Sequence, residues 1–345
     1  MPTRRDALLA LSALSAARLA HAQAPKPGKP KRIGDLNTTP GPERSDPDKP
    51  IQGEEPFWDE LRKRGWVLGV NVVIERAYAN GKLDRLAGLA EELVRKRVDV
   101  VLTDGQEASV AAARATRDIP ILFQSGSAWP VELGLIDSFA KPGRNVTGFT
   151  DHSGTETVNK RLEFLRAIVP DAKRLSWLWG APTTAMLTVA GGRFDPVPSL
   201  VSAAGALGFE TRFHVVRTPE EIADVFAEIV SSRAQAITAG GQTVNMAQEP
   251  LGELALRHRL PIAAIHRGYL AAGALLAYGP SNEDYASRRD RWLDYLDRIL
   301  RGTWPAELPV VQPTRYELVI NMKTASALGL TIPRSVQQRA DELIR

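Results

Sequence analysis

The chain has 345 residues, 43% of them hydrophobic and 24% charged, with no cysteine and a formal net charge of +4. That length suits two domains better than one, and the missing cysteine excludes disulfides, a lipobox anchor and thiolate metal sites. The positive charge does not mark a nucleic-acid face: Arg4, Arg5 and Arg18 against Asp6 put +2 into residues 1–22, Lys26, Lys29, Lys31 and Arg32 put +4 into the tail that follows, and residues 33–345 are left at −2.

The N-terminus reads as an export signal. Thr3-Arg4-Arg5-Asp6 is a charged start, residues 7–20 are apolar and small, and Ala20-His21-Ala22 fits an A-x-A cleavage site. The paired arginines fit a twin-arginine signal, with an ordinary secretory signal as the alternative. The apolar stretch falls short of the roughly 20 residues a spanning helix needs. Residues 23–32 form a Pro/Lys/Gly linker. Ile33-Gly34-Asp35-Leu36 reads as the first strand, and a polar loop then leads to a helix carrying Phe57, Trp58 and Leu61. Val70, Val72 and Ile74 alternate as a second strand. Residues 84–96 place Leu86, Leu89, Ala90, Leu93 and Val94 at helical spacing and end on cations, which suit the negative end of the helix dipole. Val98-Asp99-Val100-Val101-Leu102-Thr103 is a β-branched run typical of a strand covered on both faces. Asp104-Gly105-Gln106 turns into a helix over residues 107–116, and strands follow at Ile121-Leu122-Phe123 and Asn145-Val146-Thr147-Gly148.

The same grammar restarts after Thr150. A helix with Val158, Leu162, Leu165 and Val169 stops at Pro170, and a strand over residues 175–179 leads through a Gly/Pro/Thr loop to a helix near residues 199–207. Phe209, Thr211, Phe213 and Val215 alternate with polar residues, His214 among them, as in a half-exposed strand. Thr218-Pro219-Glu220-Glu221 is a capping box with Pro at the first helical position, opening a helix with Ile222, Val225, Phe226 and Ile229. Strands at residues 236–238, 262–265 and 275–278 follow, then a long amphipathic helix over residues 284–300, returning to the first half. The fold class is α/β: two Rossmann-like lobes, each a parallel sheet flanked by helices, joined by a hinge. Residues 33–148 with 281–302 make lobe one and 149–280 lobe two, with 303–345 packed on the lobes. Ligands in such sheets sit outside the carboxyl ends of the strands.

These residues resemble the periplasmic solute-binding proteins of ABC importers, in the subgroup associated with tryptophan/tyrosine-type substrates. The resemblance is carried by Gly81-Lys82-Leu83-Asp84-Arg85-Leu86, by the run from Val98 to Thr103, and by Pro142-Gly143-Arg144-Asn145-Val146-Thr147-Gly148. It continues in Lys160-Arg161-Leu162-Glu163, Tyr278-Gly279-Pro280, Glu317-Leu318-Val319-Ile320-Asn321, and Ala327-Leu328-Gly329-Leu330-Thr331-Ile332-Pro333. It implies the type I periplasmic binding protein fold, a small ligand held between the lobes, a membrane permease as partner, a monomer, a periplasmic location and no cofactor. A ligand-sensing subunit for a membrane receptor is the alternative, and an exported α/β enzyme a lesser one.

The sequence departs from the family at the ligand loops. Trp129-Pro130-Val131 stands where many relatives carry Asp-Pro-Val, Trp179-Gly180-Ala181 where Asn-Pro often follows the Trp, and Gly240-Gly241-Gln242 in place of another Asp-Pro. The topology sends Asp104, Gln106, Ser125, Ser127 and Trp129 toward the cleft from lobe one, and Thr183, Thr184, Gln242, Thr243 and His266 from lobe two, with turn or helix capping as the alternative for Ser125, Ser127 and Asp104, lobe packing for Trp129 and a structural role for His266. Replacing the Asp by Trp129 favours a ligand with a carboxylate or an apolar ring and no demanding ammonium, unless Asp104 takes that role. The histidines lack metal-ligand spacing, and G-x-S-x-G, G-x-x-x-x-G-K-[ST] and G-x-G-x-x-G motifs are absent from the expected places. Neither a metal nor catalysis is expected. Hinges are expected at residues 147–152, His152 included, and 278–282.

Overall fold

The computed structural model describes residues 29–41, 45–126, 129–150, 155–180 and 186–345, with the backbone alone at residues 125, 126, 186, 187 and 242. The export signal, Ser127, His152, Thr183 and Thr184 lie outside the described residues.

The first half alternates β1 (Lys31–Asn37), α1 (Glu55–Lys63), β2 (Val72–Tyr78), α2 (Leu86–Arg95), β3 (Val100–Asp104), α3 (Gln106–Ala115), β4 (Ile121–Gly126) and β5 (Val146–Thr150). These strands form one wholly parallel sheet in the order β2-β1-β3-β4-β5. Its Val- and Ile-rich strands are buried on both faces, as crossover helices require. Leu86, Ala90 and Leu93 of α2 cover one face with α3. Trp58 and Leu61 of α1 cover the other, beside Trp292, Leu293, Leu296 and Ile299 of a helix from much later in the chain. Val70, expected in the second strand, is exposed in the turn before β2.

The second half contains α4 (Thr155–Ile168), β6 (Arg174–Gly180), a hairpin of β7 (Met186–Leu187) and β8 (Arg193–Phe194), α5 (Val197–Ala206), β9 (Glu210–Val216), α6 (Ile222–Ser231) and β10 (Ala236–Gly240). It continues with α7 (Gln242–Met246), α8 (Gln248–Arg257), β11 (Ile262–Ala264), α9 (Gly268–Ala271) and β12 (Leu276–Pro280). After α10 (Asn282–Leu300) come β13 (Tyr316–Asn321), α11 (Met322–Leu328), α12 (Arg334–Gln337) and β14 (Glu342–Ile344). The second sheet runs β14-β13-β12-β11-β10-β6-β9. Counting from β6, its first five strands repeat the order of the first sheet. It is not purely parallel, because β13 returns from the other lobe and lies antiparallel to β12.

Two local expectations differ. His214 is not on a solvated face: it is 3% exposed, within 3.1 Å of Ser176 Oγ, because helices cover both faces of this sheet. The Thr218 side chain makes no capping bond; instead Glu221 accepts from the Arg217 N–H at 3.0 Å.

The chain passes between the sheets after β5, after β12, and again before β13, over residues 312–315, a third passage the periodicity gave no sign of. All three meet at α10. Ser281 Oγ caps it by accepting from the Asp284 N–H, and Asp284 Oδ1 accepts from Thr314 N–H (2.8 Å), Thr314 Oγ1 (3.0 Å) and Arg315 N–H (3.2 Å). Arg288 donates through Nε to Asp284 Oδ2 and through Nη1 to the Thr150 carbonyl, each at 2.6 Å. Burial opposes ionisation of Asp284, yet the Thr314 backbone donor and Arg288 hold its carboxyl below the usual range. Gly148 serves this region by close approach: a Cβ there would stand 2.1 Å from the Phe123 carbonyl oxygen.

Candidate functional site: the cleft between the lobes

In each lobe the strand order reverses between its first and third strands, the place where open α/β sheets leave a crevice. In lobe one this sets Asn37 of β1 beside Asp104 of β3, and in lobe two Trp179 of β6 beside Gly240 of β10. A glycine follows each third strand: Gly105 at φ +86° and Gly241 at φ +99°, with ψ 159° and 151°. Side chains are rarely tolerated in that backbone region. Each glycine turns directly into a helix headed by a glutamine, Gln106 or Gln242. The two lips are built alike, and at Gly241 the turn is tight enough that a Cβ would meet the Gly180 nitrogen at 3.0 Å.

Trp129, in the loop after β4, reaches both lobes. It packs against the apolar cores of both lobes, with its ring 6.0 Å from Trp179 and 5.9 Å from Phe194. Trp179 continues into Trp177, which stacks on Phe213 at 5.2 Å and 12°. The β7–β8 hairpin follows β6 of the second sheet in the chain yet docks on lobe one: the Val189 N–H donates to the Leu133 carbonyl at 2.7 Å, and Val189 and Phe194 pack on the lobe-one core.

The electrostatics of the lips are opposite. In lobe one, burial and then Glu54 and Asp104 push the Asp35 carboxyl up to about 7, against Arg76 and an Asn37 hydrogen bond. Glu107 on the first turn of α3 is also pushed up to about 7, by burial first and with Asp104 adding to it; its Oε1 is buried without a hydrogen-bond partner among the described residues. A cavity of about 390 Å³ opens beside them, lined by Asp35, Glu54, Phe57, Asp104, Gln124 and Trp292. In lobe two the buried charge is a cation. Arg161 of α4 is 4% exposed, its Nε donates to Thr238 Oγ1 at 3.3 Å, and its Nη1 is buried with no partner among the described residues. Burial pulls its guanidinium down to about 10, with only the Tyr269 phenol opposing.

The structure brings Asp104 to the end of β3 and Gln106 to the head of α3, both partly buried. Ser125 lies within β4, and Gln242 heads α7. Thr243 sits against Gly180, where a Cβ would meet its Oγ1 at 3.3 Å. His266 follows β11, its carbonyl accepting from the Tyr269 N–H at 3.2 Å. Among the described residues no cluster of His, Cys, Asp and Glu is arranged to hold a metal, and no helix is long and apolar enough to cross a membrane. Sequence reasoning missed Arg161, although a signal existed: it stands three residues after Val158 and four before Leu165, inside the apolar stripe of its helix.

A fold of two like α/β lobes with a shared cleft at their strand ends defines a bilobal ligand-binding protein. The chain belongs to the family described as ABC transporter substrate binding protein, whose profile matches residues 54–344. It is 24% identical over 274 residues to the tyrosine-binding protein of Clostridioides difficile (strain R20291), covering 79% of this chain and 75% of that one. Among solved structures it is similar to a conserved domain protein from Vibrio cholerae (TM-score 0.73, 23% identity, 91% of this chain and 100% of that one). It is also similar to an ABC domain from Streptococcus pneumonia in complex with L-Trp (TM-score 0.69, 22% identity, 92% of this chain and 100% of that one).

Proposed function

We propose that the protein is the soluble solute-binding component of an ABC importer, acting outside the cytoplasm as a monomer that delivers its ligand to a membrane permease. The ligand is a small aromatic carboxylic solute held between the lobes, with Trp129 and Trp179 against its ring and the loops at Asp104, Gln106, Gln242, Thr243 and His266 around its polar groups. The observation that carries this reading is the seat of Trp129, against both cores and beside Trp179 at the strand-order reversal of lobe two. An aromatic face so placed offers apolar contact to a planar ligand. The tyrosine- and L-Trp-binding relatives support an aromatic ligand. No catalytic role is assigned to these residues.

A thermal-shift screen of the mature protein against amino acids, aromatic acids, nucleosides and sugars tests the reading. A ligand at 100 times its Kd stabilises the folded state by about 2.7 kcal/mol, enough for a clear rise in Tm. Aromatic acids are expected to give that rise and to lose most of it in Trp129→Ala. Stabilisation by sugars or nucleosides alone would reject the ligand class.

A further inference from the structure

We propose that Arg161 is the anion anchor of the cleft, receiving the carboxylate of the bound solute from the second lobe. The assignment rests on the binding reading above and specifies which end of the solute each lobe holds.

An ionised side chain buried without a counter-charge is costly and is retained where something else supplies the partner. Arg161 is such a case. Among the described residues its hydrogen-bond partner is a neutral hydroxyl, Thr238 Oγ1, which itself donates to the Ala263 carbonyl at 3.1 Å. Nη1 is buried and unpaired. No carboxylate among the described residues acts on the guanidinium; the only ionisable group that does is Tyr269, whose hydroxyl already donates to Asn245 Oδ1 at 2.6 Å. The described residues thus leave the guanidinium without a counter-charge, the place an anionic solute would fill.

Geometry sends the guanidinium toward the cleft. Helix α4 enters lobe two directly from the first passage between the sheets, so its N-terminus is at the cleft end. Helical side chains lean toward the N-terminus of their own helix. The strand it touches confirms the level: Thr238 lies two residues before Gly240, where β10 ends at the cleft. In register with Thr238 on the neighbouring strand is Trp177, and two residues further, on the same sheet face, is Trp179. That step is about 7 Å, close to the distance between the carboxylate and the ring of a small aromatic acid. Arg161 can grip the carboxylate in fork geometry while Trp179 and Trp129 flank the ring.

Calorimetric titration tests this with two acid–amide pairs, benzoate with benzamide and L-tyrosine with L-tyrosinamide, against the wild type, Arg161→Met and Arg161→Lys. The wild type should bind at least one acid and prefer it to its amide. Arg161→Met should weaken that acid by about 10- to 100-fold, as for the loss of a charge-assisted hydrogen bond, and Arg161→Lys by less. The ligand-free Arg161→Met protein should melt at or above the wild-type temperature, which a merely structural arginine would not allow. Undiminished acid binding by both variants, or equal wild-type affinity for acid and amide, would overturn the anchor and leave the binding reading standing. Failure of all four compounds to bind the wild type would remove the aromatic-solute reading, and the anchor with it.

Discussion

Arg288 at the hinge and Arg161 at the cleft are buried to the same degree, 3% and 4% exposed, on helices that pack against different sheets. Their surroundings differ in counter-charge. Arg288 meets a carboxylate and a strand-end carbonyl, and that carboxylate is satisfied by three further donors from Thr314 and Arg315. Arg161 has one hydroxyl. A buried cation whose counter-charge the chain supplies holds the architecture together, whereas one given no carboxylate among the described residues marks where the chain expects something else. The carboxyl groups of Asp35 and Glu107 in lobe one belong with Arg161 in this respect, since burial has pushed both toward neutrality, Asp35 despite the opposing pull of Arg76.

The largest effect should come from the hinge. Asp284→Asn leaves Arg288 buried without its counter-charge, and breaking a buried pair from one side costs about 3–5 kcal/mol. Calorimetry should show Tm lowered by roughly 4–7 °C, with part of the loss recovered in the double variant Asp284→Asn/Arg288→Met. An unchanged Tm in the single variant would erase the contrast with Arg161.

Glu107 should behave in the opposite sense. A carboxyl whose folded pKa is raised holds its proton in the native state while the unfolded chain has lost it. The native state therefore binds more protons between about 4.5 and 7, and stability falls as pH rises through that window and levels off above it. Glu107→Gln should flatten that fall and raise stability at pH 8 by on the order of 1–3 kcal/mol, read by urea unfolding at pH 5 and 8. A loss of stability at pH 8 would show Glu107 to be a structural acid.

The smallest effect is expected at the hairpin that reaches across the cleft. Phe194→Ala removes a ring contact with Trp129 worth about 0.5–1.5 kcal/mol. Its signature should be a larger radius of gyration of the ligand-free protein in solution scattering, with solute affinity lowered a few-fold. If scattering is unchanged, the hairpin does not hold the lobes together.

The sequence showed the layer structure because buried parallel strands and their crossover helices leave strong periodic signals, and the restart after Thr150 announced the second lobe. Its residues also led to the lips: Asp104-Gly105-Gln106 and Gly240-Gly241-Gln242 stood at strand ends, and Trp129 at a loop whose composition had changed. Three things stayed hidden. The third passage, residues 312–315, carries no turn signal distinct from other loops, and its role comes from hydrogen bonds to Asp284, thirty residues back in the chain. The two-residue strands of the hairpin are too short for any alternation to register. Lys160-Arg161-Leu162-Glu163 looks like an ordinary solvated helix face until Arg161 is placed on the apolar stripe, and Asp284 and Arg288, four residues apart and leading to Trp292 and Leu296, repeat that pattern. A charged residue at a stripe position was the legible sign of both special sites; only the fold tells which one is paired.

Hydrogen–deuterium exchange of the mature protein, with and without the acid that stabilises it most, tests the central claim most directly. A solute held between the lobes should protect residues 104–109 of lobe one and residues 238–245 of lobe two together, because each segment forms one lip. Protection confined to a single lobe, or to the lobe-one cavity around Phe57 and Trp292, would contradict a shared cleft.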